Sequence, residues 1–433
     1  MKCPCDPDPM AEASGDARMV RAGVPGAACR INALPNDVLI RAISFLGARQ
    51  LVQTCVLSQR WRDLWRSVPR INASWDEFND MSGSPGTWGK RNMLFKKFFS
   101  QFLMLRNPIP LDEFNLRYAV QDCYAEIEDA WDPIDWWDAE SEDANLWIGH
   151  ALQCNAMNVN VSVEEVIRLH LDPRVFASKC FLTRLELTWV DLSTGFFKNL
   201  QMGCTLLECL KLYGCCICDA EISSQTMKLF TIDTECSFPD HQQASISIPS
   251  LIDLGYFSNE RIPPLLTNLG SLETATVSIG THTEDTPFGD ICQFLRGLSD
   301  VTHLDFCYAG QMLEMEQNLK WCPKFNNLTT LTLGGWCLYE DFYPLIVFLQ
   351  NSPNLEQLTL ELSETFTKLY LDTHKKFIVE LEERYFSCEH LEIVKIICPK
   401  NLEDDPVLND LERFLIGNGI SPDQIEIKNW QYL

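Results

Sequence analysis

The stretch Leu182-Thr183-Arg184-Leu185-Glu186-Leu187 carries apolar side chains at its first, fourth and sixth positions, and this spacing recurs along the chain. Eight later copies begin at Leu207, Met227, Leu251, Leu272, Val301, Leu328, Leu355 and Leu391. Successive copies start 20 to 36 residues apart. One such segment indicates only a short strand, whereas nine in series predict a solenoid in which each coil adds one strand to a common sheet.

Each of these strands is too short to cover its own apolar side, so neighbouring coils must stack. Burial of one aliphatic side chain contributes about 1.5 to 3 kcal/mol, and only an adjacent coil supplies that burial. The period brackets that of leucine-rich repeats. We therefore expect an α/β fold over residues 111–390, an irregular leucine-rich-repeat solenoid with a parallel sheet on its concave side. Residues 114–118 and 159–161 would be its irregular first strands, and 196–200 and 342–349 would form helices of the convex layer.

The residues that alternate with the leucines project from the concave face of this predicted sheet. Threonines at such positions have a plain explanation, since they favour strands on a solvated surface. Neighbouring strands also bring two aromatic residues together, ringed by charge, as an interaction hot spot requires. The candidate partner surface consists of Lys211, Tyr213, Asp233, Asp253 and Phe257.

The segments on either side of the repeats have different characters. Residues 1–30 hold four prolines without apolar periodicity and predict a disordered tail. Residues 72–110 are expected to connect to the repeats, with a helix at Phe95–Leu105 capping the open end of the sheet. Residues 391–433 read as strand, amphipathic helix and strand, a terminal repeat with a C-terminal cap.

An acidic stretch interrupts the first repeats. Residues 122–143 contain ten Asp or Glu and no Lys or Arg, which favours a solvated loop. Trp131, Trp136 and Trp137 are unusual in such a loop and offer an alternative anchor for a basic or aromatic partner.

The segment 31–71 predicts a three-helix unit ahead of the repeats. Pro35 and Asp37 suit the first turn of a helix, Gly47 suits its end, and Ser58 is a plausible cap for the third helix. A unit of about 40 residues is at the limit of independent stability, which implies a partner. Its six arginines and two aspartates give a net charge of +4, so we expect that partner to be acidic.

The segment also resembles a known family. Leu34-Pro35-Asn36-Asp37-Val38-Leu39, Ile43-Ser44-Phe45-Leu46 and the run from Thr54 to Trp65 closely resemble the F-box of plant F-box/leucine-rich-repeat proteins, and 391–433 is similar to their FBD segment. The resemblance implies that the unit binds a Skp-family adaptor and through it a cullin, while the repeats hold a protein substrate for ubiquitination. The matching adaptor-binding positions are Leu34, Pro35, Val38, Leu39, Ile43, Leu46, Val56, Leu57, Trp61 and Trp65. Each of these ten residues could instead belong to the core of the unit. For three further apolar residues of the segment, Val52, Cys55 and Leu64, a place in the core is the preferred interpretation.

Composition excludes several classes of function. The net charge of −25 disfavours binding to nucleic acid and to anionic lipid. The first 30 residues lack the apolar run of a secretory signal, and no run approaches a membrane span. We therefore expect a protein of the nucleus or cytoplasm, in which the 19 cysteines are reduced thiols and Cys215, Cys216 and Cys218 are buried hydrophobes rather than metal ligands.

The chain contains no GxSxG, GxxxxGK[ST], GxGxxG or HExxH sequence, and its seven histidines are scattered singly. A non-catalytic ligase adaptor without metal or cofactor is the leading hypothesis. A small-molecule-dependent receptor and an interaction scaffold that has lost adaptor binding remain open, and an unrecognised hydrolase is the weakest alternative.

Overall fold

The computed structural model describes residues 30–78, 88–119, 134–164, 168–238, 243–259, 262–280, 289–309, 322–362, 386, 388–399 and 406–429. The predicted disordered tail lies outside these residues except for Arg30. The α-helices are α1 Asn36–Ile43, α2 Ala48–Gln53, α3 Trp88–Leu105, α4 Ile134–Gln153, α5 Phe196–Gly203, α6 Gly289–Arg296, α7 Tyr339–Gln350 and α8 Pro406–Gly417.

The first strands in chain order are β1 Arg70–Ser74, β2 Glu113–Tyr118, β3 Asn158–Val163, β4 Leu169–Leu171, β5 Arg184–Thr188, β6 Val190–Leu192, β7 Cys209–Tyr213, β8 Cys216–Ile217, β9 Glu221–Ser223 and β10 Leu229–Ile232. The remaining ones are β11 Ser245–Ser247, β12 Asp253–Ser258, β13 Leu265–Thr267, β14 Thr274–Ile279, β15 His303–Tyr308, β16 Thr330–Gly334, β17 Gln357–Glu361, β18 Ile393–Cys398 and β19 Ile425–Asn429.

Within the described residues, thirteen strands form one large parallel sheet. Its order, β1-β2-β3-β5-β7-β10-β12-β14-β15-β16-β17-β18-β19, follows the chain without a reversal. All nine recurring segments of the sequence are strands of this sheet, so the predicted parallel sheet is confirmed. Two three-stranded sheets, β4-β6-β8 and β13-β11-β9, are formed by segments between its strands.

The register of the large sheet explains the apolar spacing. Leu185 of β5 pairs with Leu210 of β7, Leu210 with Phe230, and Phe230 with Leu254 of β12. All four side chains are fully buried, as are the fourth-position residues of the following strands. The core is therefore a ladder in which each apolar side chain is covered by the strands before and after it.

The N-terminal edge of the sheet lies against the segment that resembles an F-box. Asn72 of β1 donates from Nδ2 to the carbonyl oxygens of Ser44 and Leu46, at 3.3 and 3.4 Å. The ring of Trp65 stacks on Phe102 of α3 with 5.3 Å between centroids. These contacts join the N-terminal segment to the first strand of the sheet and to α3.

Three expectations from the sequence are corrected. The third helix of the N-terminal unit is instead two 3-10 turns, Gln59–Trp61 and Leu64–Ser67, because Ser58 is extended without a capping hydrogen bond and Asp63 breaks the segment. The sheet starts at β1, which spans the predicted boundary between the 31–71 unit and the 72–110 connection, because Ile71 and Ala73 alternate into the core.

The third correction concerns the acidic stretch. Its residues 134–143 are the first half of α4, while 122–133, with Trp131, lie outside the described residues. The second half of α4 buries Ala144, Trp147, Ile148 and Ala151 in the core. Carboxylates near a helix N-terminus are stabilised by the helix dipole, so acidic composition extends this helix rather than ending it.

The helix predicted at Phe95–Leu105 is the end of the longer α3, and the helices predicted at 196–200 and 342–349 are α5 and α7. In the part of the chain that the structure describes, no helix is both long and apolar enough to cross a bilayer.

Candidate functional site

Five of the ten predicted adaptor-binding residues form an exposed apolar group, which we call the adaptor patch. It consists of Leu34, Pro35, Val38, Val56 and Leu57. Val56 exposes 83% and Leu57 exposes 63% of its surface, which are high values for aliphatic side chains. Apolar groups gathered on one surface mark interaction sites more often than single exposed leucines do.

Arg60 holds the two halves of the adaptor patch together. Its Nε donates to Asn36 Oδ1 at 2.9 Å, and its Nη2 donates to the carbonyl oxygen of Leu34. Because Arg60 follows Leu57 by three residues, these bonds place the Val56–Leu57 segment beside the start of α1. The adaptor patch is thus built from two segments fixed by one guanidinium.

The exposed face of α1 extends the adaptor patch. Val38, Ala42 and Phe45 follow at helical spacing, and all three are exposed. Phe45 exposes 66% of its surface, and the guanidinium carbon of Arg70 lies 4.8 Å from its ring centroid. The sequence prediction omitted Phe45 and also Ile31, which is 52% exposed. The spacing of Phe45 from Val38 was the available signal.

Four predicted adaptor-binding residues lie in the core instead. Leu39, Ile43, Trp61 and Trp65 are between 1% and 7% exposed. Their side chains fill the interior of a unit too small to spare them, so they hold the adaptor patch in shape rather than line it. Leu46 is half-buried against the same core, and of the three residues assigned to the core from sequence, Leu64 is buried while Val52 and Cys55 are half-buried.

A residue beyond the N-terminal unit caps its second helix. The Glu77 carboxylate accepts hydrogen bonds from the backbone N–H groups of Arg49 and Gln50, at 3.0 and 3.3 Å. These are orphan donors of the first turn of α2. Burial raises the pKa of Glu77, while the same hydrogen bonds oppose that rise. The helix therefore depends on a side chain that follows β1.

The charge of the unit is exposed next to the adaptor patch. Arg41 and Arg62 are exposed, and neither forms an ion pair with any described residue. Arg66 pairs with Asp63 at 3.3 Å, and Arg70 pairs with Glu113 at 3.5 Å. Free arginines beside apolar side chains suit an acidic partner surface.

Four of the five candidate partner-surface residues lie on β7 and β12, and Asp233 directly follows the intervening β10. Tyr213 ends β7 and Phe257 lies on β12, with β10 between them, so their backbones are about 10 Å apart. Lys211 shares a row with Thr231 and Gly255, whereas Asp253 lies one row lower. The structure brings these four residues onto one face.

Gly255 leaves room on this face for the Phe257 ring. A Cβ at Gly255 would lie 3.1 Å from Thr231 Oγ1 and 3.4 Å from Phe257 Cε2. The ring therefore leans over the glycine. Tyr213 is half-buried, and burial together with Glu186 and Asp233 raises the pKa of its hydroxyl.

Asp233, the fifth candidate, is bound to the backbone instead. Its Oδ1 accepts from the N–H groups of Gly214 and Glu235, at 2.8 and 3.1 Å. The first bond supports the turn after β7, where Gly214 has φ of +59° and packs on the Trp189 ring. Asp233 thus shapes the end of β7 through its Oδ1 atom.

Further along the same face of the large sheet, Asp305 of β15 is half-buried. Burial and the nearby Glu361 of β17 raise its pKa from 3.8 to about 6. Across the described part of the chain, no group of three or more His, Cys, Asp or Glu side chains is placed to hold a metal ion. Of the three tryptophans predicted as an alternative anchor, Trp136 and Trp137 lie in α4, and Trp131 is outside the described ranges.

Comparison with known proteins identifies the same N-terminal segment. The F-box domain model matches residues 31–72, the segment that carries the adaptor patch. A putative F-box/LRR-repeat protein of Arabidopsis thaliana is 26% identical over 361 residues, covering 76% of this chain and 64% of that protein, just under two thirds of its length.

Two further Arabidopsis thaliana relatives carry the FBD designation. An FBD-associated F-box protein is 26% identical over 76% of this chain and 75% of its own length. An F-box/FBD/LRR-repeat protein is 25% identical over 84% of each chain. The chain thus matches the F-box domain at residues 31–72 and is similar over most of its length to plant F-box/leucine-rich-repeat proteins.

Proposed function

We propose that this chain is a non-catalytic substrate adaptor of a Skp–cullin–F-box ubiquitin ligase. The F-box would bind a Skp-family adaptor, which in turn holds a cullin, and the repeat region would hold a protein substrate. The observation that carries the proposal is the adaptor patch, an exposed apolar surface inside the segment that matches the F-box domain.

The rest of the chain supports the second half of the proposal. We propose that the thirteen-stranded parallel sheet is the concave wall of a leucine-rich-repeat solenoid, because its strands follow in chain order and share one buried ladder. Such a wall presents a long continuous surface. Ubiquitin transfer would then be accelerated by proximity, with the reacting groups supplied by partners.

We also propose that the protein acts in the nucleus or the cytoplasm. The nucleus and cytoplasm are reducing compartments, in which the 19 cysteines of the chain stay mainly as thiols.

Reconstitution tests the proposed function. The full chain is mixed with a purified Skp-family adaptor and a cullin–RING complex, and the mixture is resolved by size-exclusion chromatography. We expect the three components to co-elute. A chain that elutes alone, while an F-box protein of established function assembles in parallel, would contradict the ligase assignment and leave an interaction scaffold.

A further inference from the structure

Cysteines concentrate in the coils around β5, β7 and β10. Within this region the described thiols are Cys180, Cys204, Cys209, Cys215, Cys216, Cys218 and Cys236. Of the three expected to be buried, Cys215 is buried, Cys216 is half-buried and Cys218 is exposed. Cys180 and Cys204 are in direct contact, with 3.1 Å between their Sγ atoms. A disulfide bond is about 2.05 Å long, so the two sulfurs need to approach by only about 1 Å to form one.

The backbone holds these two thiols in place. Cys180 lies just before β5, and its N–H donates to the carbonyl oxygen of Gly203 at 3.0 Å. Cys204 follows Gly203 at the end of α5, and its N–H donates to Leu200 at 2.8 Å. Gly203 packs so closely on the Phe176 carbonyl that no Cβ fits. The backbone positions of both cysteines are therefore fixed, and both side chains are buried, at 4% and 2% exposed.

The two thiols of the pair also differ in pKa. The hydrogen bond from the Cys204 thiol lowers the pKa of Cys180 to about 7, and the same bond together with burial raises the pKa of Cys204. Burial acts in the opposite direction on other thiols, raising the pKa of Cys388 to about 11. A thiolate in contact with a thiol is the starting arrangement for disulfide formation.

We propose that Cys180 and Cys204 form a modification site, a dithiol that a hydroperoxide converts into an intramolecular disulfide. The Cys180 thiolate attacks one peroxide oxygen, the O–O bond breaks, and a sulfenic acid forms as the other oxygen leaves and takes up a proton. The Cys204 sulfur then attacks the Cys180 sulfur, the S–O bond breaks, and water leaves. The two thiols lose two electrons, and one hydrogen peroxide becomes two water molecules.

The disulfide would close the part of the chain that contains β5, β6 and α5. Cross-linking removes entropy from the unfolded chain, so the oxidised protein is expected to unfold at a higher temperature. Strand β5 pairs with β7, which carries Lys211 and Tyr213. In a reducing compartment the bond would be transient, as intracellular regulatory disulfides are.

Peptide mapping of the purified full chain tests this site. The protein is treated with stoichiometric hydrogen peroxide, denatured, blocked with N-ethylmaleimide and digested without reduction, so that the buried thiols are labelled wherever they remain reduced. We expect one product in which the Cys180 and Cys204 peptides are joined and lighter by two hydrogens, with loss of maleimide labelling at both positions. Dithiothreitol should restore both labels, and the oxidised protein should have the higher thermal midpoint.

Cys209 provides a matched control, because it is a buried cysteine, 6% exposed, on strand β7, which pairs with β5. Cys209→Ser should keep the Cys180–Cys204 linkage, and Cys204→Ser should lose it and leave Cys180 as a sulfenic acid that dimedone traps. Oxidation of the exposed Cys218 shows that the peroxide has reacted with the protein. If Cys180 and Cys204 of that wild-type sample are still fully labelled by maleimide, the proposal is overturned. A linked product with a lowered thermal midpoint would overturn it as well, since that bond would have formed outside the native fold.

Discussion

Val56 and Leu57 have exposed side chains, whereas Trp61 and Trp65, a few residues later, are 7% and 5% exposed. Both pairs are apolar and fall within the same domain match. Truncating either tryptophan removes core volume, at a cost of about 3 to 5 kcal/mol, from a unit with little stability to spare. Loss of adaptor binding in such variants would report unfolding, so only the exposed pair tests a contact.

The sequence alone could not separate these two groups. All ten positions are apolar, and periodicity identifies a buried face only when an element is regular. The 3-10 turns between Thr54 and Ser67 break that periodicity. Exposure of Val56 and burial of Trp61 therefore follow from tertiary packing, which local spacing does not encode.

Asp305 gives a prediction at the scale of one residue. Its pKa is raised from 3.8 to about 6, so the folded state disfavours its charged form. The resulting loss of stability is absent below about pH 4, grows as the pH rises, and is complete above about pH 6. Asp305→Asn should therefore raise the thermal midpoint at pH 7.5 and leave it unchanged near pH 4. An equal effect at both pH values would contradict this account.

At the scale of the strand, the register predicts unequal effects for adjacent residues. Leu331 of β16 is fully buried between Leu304 and Leu358, whereas Thr332 is half-buried on the opposite face of the sheet. Leu331→Ala should lower the free energy of unfolding by about 2 to 5 kcal/mol. Thr332→Ala is the matched control and should stay within about 0.5 kcal/mol of wild type. Urea unfolding measures both, and similar losses would argue against the alternating register.

Helix α2 provides a prediction about a cap supplied from outside the F-box. Glu77→Ala removes the acceptor for the Arg49 and Gln50 N–H groups, and losing such a cap costs about 1 kcal/mol. We expect faster amide hydrogen exchange at both residues with unchanged exchange in β16. Unaltered exchange at Arg49 and Gln50 would show that water satisfies these donors equally well.

Elements with strict apolar spacing were predictable, and the others were not. The nine segments from Leu182 onward became strands because each provides three side chains to one ladder. Strand β1 is short and overlaps the end of the F-box match, so its two inward residues gave too little pattern to identify. The start of α4 was missed because its acidic composition hides a helix whose apolar face lies in its second half.

At the scale of the molecule, the F-box covers one end of the sheet, and the concave candidates lie on its fifth to seventh strands. Adaptor binding and substrate binding should therefore be separable. Tyr213→Ala with Phe257→Ala is expected to weaken substrate capture, measured by affinity capture and mass spectrometry, without changing adaptor affinity. Thr274→Ala with Thr276→Ala, on neighbouring β14, is the control and should retain capture.

If the aromatic double variant captures the same proteins as wild type, the concave assignment is wrong. Loss of capture only after replacement of Trp131, Trp136 and Trp137 would instead assign recognition to the acidic stretch and α4.

The most direct test of the whole account is the affinity of the full chain for a purified Skp-family adaptor, measured by calorimetric titration. Val56→Asp with Leu57→Asp places two charges in the adaptor patch and should weaken binding at least about 100-fold, equivalent to about 2.7 kcal/mol, with an unchanged thermal midpoint. Met202→Asp, on the exposed surface of α5, is the control and should bind as wild type does. Wild-type affinity in the Val56→Asp and Leu57→Asp variant would contradict the assignment of this surface to the adaptor.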